Sequence, residues 1–252
     1  MLNNNTMKRL VLAAVLPVLA LTAAAQPTRP AEICGPPLTL RGYLLYDFHY
    51  ATGAVGGAAA TLDWQVSPMF RLSTGAEYAS LNRISGQLEG AATLCGDPRG
   101  RHLTLENRYL WRHYPSLELQ EFTGALSVGG YLRHVTLHLG LCNRYCADLV
   151  QRNDGATGTV FEPMNVMFAI EPMLWDETRP NAHRWNVSLC WSNYSEFIIE
   201  RVANWFFSLR GYWRQGGHLH LTGEVGIHPV GSLNLTASYD GWYAHLGAAY
   251  RF

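Results

Sequence analysis

The sequence lacks the long apolar run that a membrane-spanning helix requires. No stretch of 18 or more consecutive apolar residues occurs after residue 25, whereas a helix needs about 20 such residues to cross a bilayer. Charged residues are also scarce, at 15%, while aromatic residues reach 12% and glycines number 24. This composition is typical of a chain with many strands, tight turns and little charged outer surface.

A basic surface is missing as well. Lys8 is the only lysine, and 19 basic residues face 19 acidic ones, so the formal net charge is zero. Nucleic-acid-binding proteins carry a basic patch or stripe, because phosphate contacts dominate their affinity. We therefore expect no nucleic-acid partner.

Cysteine is uncommon, and its spacing indicates no metal site. The five cysteines are Cys34, Cys95, Cys142, Cys146 and Cys190, and no CxxC pair occurs. Cys142 and Cys146 would lie roughly 13 Å apart in one strand, which is too far for a disulfide. Cys142–Cys190 is the least implausible bridge, since both side chains can face inward. We expect no cofactor.

Apolar and polar residues alternate at period two along most of the chain, which predicts an all-β fold. Two segments rich in Gly, Asp or Asn, Leu81–Gly100 and Ala147–Thr159, are predicted as long loops. The predicted strands are Leu38–Tyr50, Ala58–Val66, Phe70–Tyr78, Arg101–His113, Leu117–Val128, His134–Leu141, Val160–Leu174, Trp185–Ser192, Ala203–Arg214, Leu219–Val225, Leu233–Tyr239 and Trp242–Phe252.

The last predicted strand has one fully apolar face, because successive side chains of a strand point to opposite sides. That face consists of Trp242, Ala244, Leu246, Ala248, Tyr250 and Phe252. The pattern resembles the closing strand of bacterial outer-membrane β-barrel proteins, which ends in Phe with an aromatic residue two positions earlier. The resemblance implies a transmembrane antiparallel up-and-down β-barrel, with Tyr250 and Phe252 as the signal that the barrel-assembly machinery reads during biogenesis.

The N-terminal residues agree with export. Lys8 and Arg9 precede the apolar run Leu10–Leu21, and Ala23 to Ala25 supply an A-x-A cleavage site, which is the pattern of a secretory signal peptide. We therefore predict a signal peptide at residues 1–25, a periplasmic lead-in at residues 26–37 and an outer-membrane barrel at residues 38–252. The cell outer membrane of a Gram-negative envelope is the expected location.

The lengths of the connections leave the strand number open between 12 and 10. With the N-terminus in the periplasm, the Leu81–Gly100 loop is extracellular and the Ser67–Pro68 turn is periplasmic, as outer-membrane barrels prefer. The Ala147–Thr159 loop is long, yet with 12 strands it falls on the periplasmic side. A ten-strand barrel is therefore the alternative.

The inward faces carry nearly balanced charges. Balance and the bidentate geometry of arginine favour paired networks that fill a narrow lumen. The second interpretation is a pocket for a small-molecule ligand, centred on Glu106, Arg108, Arg210 and Glu224. The candidate residues of the network or pocket are Glu106, Arg108, Arg112, Asn165, Glu171, Arg210, Arg214 and Glu224.

Three histidines offer a different hypothesis. His218 and His220 share one strand face, roughly 7 Å apart, and we expect His245 to approach them near the extracellular end. They are weak candidates for a metal site or for a general base, although no Ser, His and carboxylate show a diagnostic spacing. We thus expect a porin-like outer-membrane barrel, contacted by lipids, with a structural, narrow-passage or small-ligand role. The alternative is a barrel hydrolase that acts on lipid or peptide at the extracellular rim.

Overall fold

The computed structural model describes residues 38–49, 53–80, 83–97, 101–115, 118–132, 134–148, 158–178, 184–200, 204–215, 218–230 and 238–252. The predicted signal peptide and lead-in lie outside these residues. No helix in the described ranges is long and apolar enough to span a membrane. The strands are β1 (Leu38–His49), β2 (Gly53–Ser67), β3 (Phe70–Ala79), β4 (Arg83–Gly96), β5 (His102–Tyr114), β6 (Leu119–Tyr131), β7 (Val135–Asp148), β8 (Thr159–Thr178), β9 (Arg184–Ser192), β10 (Phe206–Gln215), β11 (Leu219–Val230) and β12 (Ser238–Arg251).

The strands form one closed antiparallel barrel, in which each strand pairs with its neighbours in sequence. β1 and β12 close it, with a register that runs from Thr39↔Arg251 to His49↔Gly241. The Phe252 N–H donates to the Leu38 carbonyl at 3.1 Å. The first and last strands therefore start and finish at the same end of the barrel, which we call the terminal end.

The predicted number of strands is confirmed, but the prediction of a loop at Leu81–Gly100 is wrong, because β4 lies within it. The outward face of β4 carries Gly86 and Gly90, so the apolar alternation is interrupted in the sequence. Neighbouring side chains cover these glycines: Trp111 lies over Gly86, and Leu72 lies over Gly90. The residues of the predicted strand Leu233–Tyr239 lie largely outside the described ranges, and β12 begins at Ser238.

The missed strand also explains the conflict over the Ala147–Thr159 loop. With β4 included, the connection between β7 and β8 falls at the end opposite to the chain termini. If the termini face the periplasm, this long connection is extracellular, where such barrels place their long loops. The ten-strand alternative is wrong.

The outer surface is apolar, as the alternation predicts. Leu44, Leu139 and Leu246 are 67%, 65% and 66% exposed, and many other large apolar side chains share this surface. A continuous apolar surface of this kind marks contact with lipid or another apolar partner. Two tryptophan pairs, Trp185–Trp213 and Trp191–Trp205, have ring centres 5.5 and 5.9 Å apart.

The buried apolar core lies inside the barrel. One cluster of it consists of Leu110, Ala125, Cys142, Met167 and Ile199, with Tyr194 packed against it. Cys142 and Cys190 are both buried, as expected for inward-facing side chains, but both thiols are free. The Cys142–Cys190 disulfide that the sequence permitted is therefore absent. Ile199 belongs to no strand, and the segment that carries it is the main feature of the lumen.

Candidate functional site

The connection that follows β9 folds back into the barrel as a short hairpin. The Ser195 N–H donates to the Ile198 carbonyl at 2.8 Å, and the Glu200 N–H donates to the Asn193 carbonyl at 2.7 Å. Tyr194 and Ile199 pair as an antiparallel bridge between these two hydrogen bonds. We call Asn193–Glu200 the lumen hairpin.

A buried amide fixes the base of the lumen hairpin to β8. The Asn193 side chain is fully buried. Its amide nitrogen donates to the carbonyls of Val166 and Glu200, both at 2.8 Å, and its amide oxygen accepts from the Phe168 N–H at 2.8 Å. An asparagine side chain has two donor hydrogens and an acceptor oxygen. This one side chain therefore forms hydrogen bonds with the backbone of both β8 and the hairpin.

Three arginines on β5 and β7 hold the lumen hairpin. Arg108 Nη1 donates to the Ser195 carbonyl at 3.0 Å, and Arg112 Nε donates to the Phe197 carbonyl at 3.0 Å. Arg144, on β7, donates to the Ile199 carbonyl. Hydrogen bonds from a charged donor are stronger than neutral ones. The hairpin thus crosses the lumen from β9 to β5 and β7.

Wall carboxylates hold the same three guanidinium groups. Glu89 accepts from Arg108 at 2.5 and 2.9 Å, while Glu121 lies 3.3 Å from Arg112 and 2.9 Å from Arg144. A buried charge is tolerated only when it is paired and its donors are satisfied. Each arginine therefore needs both its carboxylate and the hairpin carbonyl.

The hairpin also reaches the opposite side of the wall. The Tyr43 hydroxyl donates to Glu196 at 3.0 Å, and Arg41 Nη1 lies 3.5 Å from the same carboxylate. Burial raises the pKa of the Glu196 carboxyl above its usual range, while Arg41 and Tyr43 oppose this shift. The Phe197 ring lies close to Gly75 on β3. A Cβ atom added to Gly75 would lie 3.2 Å from this ring.

A cavity of about 540 Å³ extends from the lumen hairpin to the terminal end. Ser195, Glu196 and Phe197 line it at the hairpin. Its arginines at the ends of strands are Arg184, Arg214 and Arg251.

The wall of this cavity contains a compact ionic network. Arg210 lies 2.9 Å from Glu171 and 3.1 Å from Glu224. Ser188 donates to Glu171 at 2.6 Å, and Ser208 and Tyr243 donate to Glu224 at 2.6 and 2.8 Å. The structure therefore brings Glu171, Arg210 and Glu224 together.

The other residues of the proposed pocket lie elsewhere. Glu106 accepts from Thr104 and Tyr131 at 2.9 and 2.8 Å, and it lies 3.1 Å from His138. Arg108 pairs with Glu89 and the hairpin instead. The predicted grouping of Glu106, Arg108, Arg210 and Glu224 is therefore not formed, because the first two lie on β5 and the others on β10 and β11.

Asn165 lies apart from both networks. Its amide donates to Glu162 at 3.4 Å, beside the register shift between β7 and β8. It does not line the cavity.

The three histidines do not converge. His218 Nδ1 lies 2.8 Å from the Arg251 carbonyl, His220 contacts the Tyr212 hydroxyl, and His245 lies 3.3 Å from Asp47. Within the described ranges, no group of three His, Cys, Asp or Glu residues is placed to hold a metal ion. His218 and His220 lie at the terminal end, since β11 begins there. With the predicted orientation this end faces the periplasm, so the expected extracellular placement is wrong.

The sequence interpretation missed the lumen hairpin. Its signal was an apolar triplet, Phe197, Ile198 and Ile199, in a segment between two strands. Connecting segments exposed to water are usually polar, and a run of apolar residues there indicates a functional or packing role.

Comparisons with known proteins identify the fold. No family model matches the chain, and no curated protein matches its sequence. A KdgM porin in complex with disordered oligogalacturonate is similar at 8% identity and TM-score 0.52, over 85% of this chain and 99% of that one. An outer membrane channel from Pseudomonas putida F1 is similar at 8% identity and TM-score 0.51, over 90% and 100% of the two chains.

A third similar structure is the translocator domain of the autotransporter NalP from Neisseria meningitidis, at 11% identity and TM-score 0.50, over 97% and 98% of the two chains. At these identities the likeness shows the fold alone. The chain has the transmembrane β-barrel fold of bacterial outer-membrane proteins, as its closing strand predicts.

Proposed function

We propose that the protein is a narrow-passage barrel of the bacterial outer membrane, exported by the signal peptide at residues 1–25, in which the lumen hairpin closes the passage. The observation that carries this proposal is the binding of three hairpin carbonyls by Arg108, Arg112 and Arg144. These contacts hold the hairpin across the lumen between opposite walls.

Two features favour a closed passage over a purely structural barrel. The hairpin is attached to the wall through Ile199 in the apolar core and through the hydrogen bonds of the three arginines. Water can replace these hydrogen bonds when the hairpin moves away from the wall. The cavity of about 540 Å³ beside it is lined by charged and hydroxyl-bearing side chains, as expected of a route for polar solutes. Two proteins of the same fold are a porin and a channel, which is consistent with this role.

The hydrolase alternative is not proposed, because no specific contact favours it. Of its candidate residues, His218 contacts a main-chain carbonyl and His220 contacts a tyrosine hydroxyl.

Conductance across planar bilayers tests the proposal. The parent barrel should show little or no steady conductance. A variant in which Tyr194–Ile199 is replaced by Gly-Ser-Gly should show a large steady conductance, because the contacts across the lumen are removed. A deletion of equal size within residues 151–156, in the connection between β7 and β8, is the matched control and should remain silent.

Two results would overturn the proposal. One is a large, steady conductance of the unmodified barrel. The other is a hairpin-shortened variant that folds, as heat-modifiable migration on a gel shows, and yet stays as silent as the parent.

A further inference from the structure

The carboxylates that line the cavity are all paired. Glu77 lies 2.6 Å from Arg83, Glu171 and Glu224 share Arg210, and Glu196 contacts Tyr43 and Arg41. Each negative charge of the cavity wall is thus compensated by a neighbouring cation or hydroxyl. These carboxylates leave no demand for a bound cation.

Two arginines at the terminal end of the cavity are different. Arg214 and Arg251 both line it, and neither has a carboxylate within ion-pair distance among the residues with described positions. Arg214 Nε is buried and has no hydrogen-bond acceptor in the part of the chain that the structure describes. A buried donor without an acceptor carries a desolvation cost. An occupant with acceptor oxygens would remove this cost.

The register concentrates positive charge around the two residues. Arg214 pairs directly with Arg184 on β9. Like charges directly opposite each other on neighbouring strands destabilise a sheet. The sequence nevertheless places two arginines side by side at this level of the wall, as is expected of a site that binds an anion.

We propose that the terminal end of the cavity binds a small solute that carries at least two carboxylate or phosphate groups. The planar guanidinium fork matches both kinds of group. Arg214 and Arg251 lie two strands and two residues apart, which puts their Cα atoms roughly 12 Å from each other. One solute with two separated anionic groups can therefore contact both arginines.

The other residues that line the cavity restrict the chemistry of the solute. The Glu171 and Glu224 carboxylates around Arg210 repel an anion from the inner part of the cavity. Asn186 lines the cavity between them and the terminal end, and its side chain can accept or donate hydrogen bonds to hydroxyl groups. The site thus favours a polar solute with its anionic groups toward the terminal end. Binding there requires no passage through the hairpin.

Calorimetric titration of the detergent-folded full chain at low ionic strength tests this site, with citrate and with pyrophosphate as separate probes. The double variant Arg214→Gln/Arg251→Gln should bind at least tenfold more weakly than the parent. Arg214→Lys/Arg251→Lys should lose part of the affinity, because lysine keeps the charge but not the fork. Arg101→Gln removes an exposed arginine outside the cavity and should leave the affinity unchanged.

The two probes distinguish the sources of the anionic group. Affinity for citrate alone assigns carboxylates, affinity for pyrophosphate alone assigns phosphates, and affinity for both supports the shared chemistry. Equal affinities of the parent and the double Gln variant, or the absence of binding to either probe, would overturn the proposal. If the Gln variant does not fold, two other measurements test the site: the affinity of the Lys variant and the affinity of the parent at higher salt. If both equal the affinity of the parent at low ionic strength, the site is contradicted. Neither result depends on conductance, so the site and the closed passage can fail separately.

Discussion

Arginine is the residue on which the interior of this barrel depends, and its geometry suits this role better than that of lysine. The guanidinium group has five donors in a rigid plane, so Arg112 can bind Glu121, Tyr114 and the Phe197 carbonyl at once. A lysine ammonium has three donors on a flexible stem and could not hold wall and hairpin in one fixed geometry.

Arg112→Gln tests this role at the level of one side chain. The variant leaves the Phe197 carbonyl without its donor and Glu121 with only Arg144. Because Arg112 is buried, we expect a loss of about 3 kcal/mol in the free energy of unfolding, the lower end for a broken buried pair. Urea unfolding in lipid vesicles measures it. Arg101→Gln is the control, and an equal change in both variants would contradict the role of Arg112.

Gly75→Ala tests the close approach of the lumen hairpin. An added Cβ would lie 2.7 Å from a Thr61 methyl, 2.9 Å from the Ala60 carbonyl and 3.2 Å from the Phe197 ring. We expect the hairpin to be displaced, with the appearance of conductance and lower stability. At Gly211 the nearest atom to a new Cβ is 3.9 Å away, so Gly211→Ala should resemble the parent. A silent, fully stable Gly75→Ala variant would show that the contact is unimportant.

At the scale of the element, the sequence predicted strands wherever side chains carry the alternation. β1, β10 and β12 were found because large apolar residues dominate one face of each strand. β4 was missed because Gly86 and Gly90 interrupt the apolar alternation on its outer face, on either side of Leu88. Side chains of the neighbouring strands cover the two glycines, which is a tertiary arrangement.

The lumen hairpin could not be derived from local pattern either. The Arg112 contact joins residues 85 positions apart in sequence, and the contact between Tyr43 and Glu196 spans 153 positions. Periodicity reports which face of a strand is apolar, so it predicted that Arg108, Arg112 and Arg210 would face the lumen. It carries no information on which of these inward-facing groups meet, and the grouping of Arg108 with Arg210 failed for that reason.

Leu139→Arg tests the assignment of the outer face of β7. Leu139 is 65% exposed, and an arginine near the bilayer midplane of an outer-membrane barrel costs roughly 2–4 kcal/mol. Val160→Arg, near the end of β8, should cost at most about 1 kcal/mol, as near a membrane interface. Unfolding titrations in lipid vesicles compare the two. Unchanged stability of Leu139→Arg would contradict the assignment of this face to lipid.

At the scale of the whole molecule, closure depends on the pairing of β1 with β12. Tyr250 and Phe252 point outward, at 48% and 59% exposure, with ring centres 5.2 Å apart. Their side chains are therefore available to another protein before the barrel is inserted. The assembly signal at these residues stays a prediction.

Deletion of Phe252 tests that prediction. We expect less assembled barrel in the outer membrane, with secretion across the inner membrane intact, because the terminal aromatic side chain of the closing strand is lost. Phe252→Tyr keeps an aromatic ring and is the matched control. Heat-modifiable migration of outer-membrane fractions measures the assembled amount. Normal levels after the deletion would exclude a recognition role for this residue.

The central claim is that wall arginines hold the lumen hairpin inside the barrel, and amide hydrogen exchange of residues 193–200 tests it most directly. The Asn193, Ser195 and Glu200 amides are hydrogen-bonded and enclosed by the wall, so they should exchange as slowly as those of neighbouring strands. They should exchange much faster in Arg112→Gln, while the β1 and β12 amides stay protected. Exchange of residues 193–200 in the parent as fast as in the urea-unfolded chain would contradict the claim.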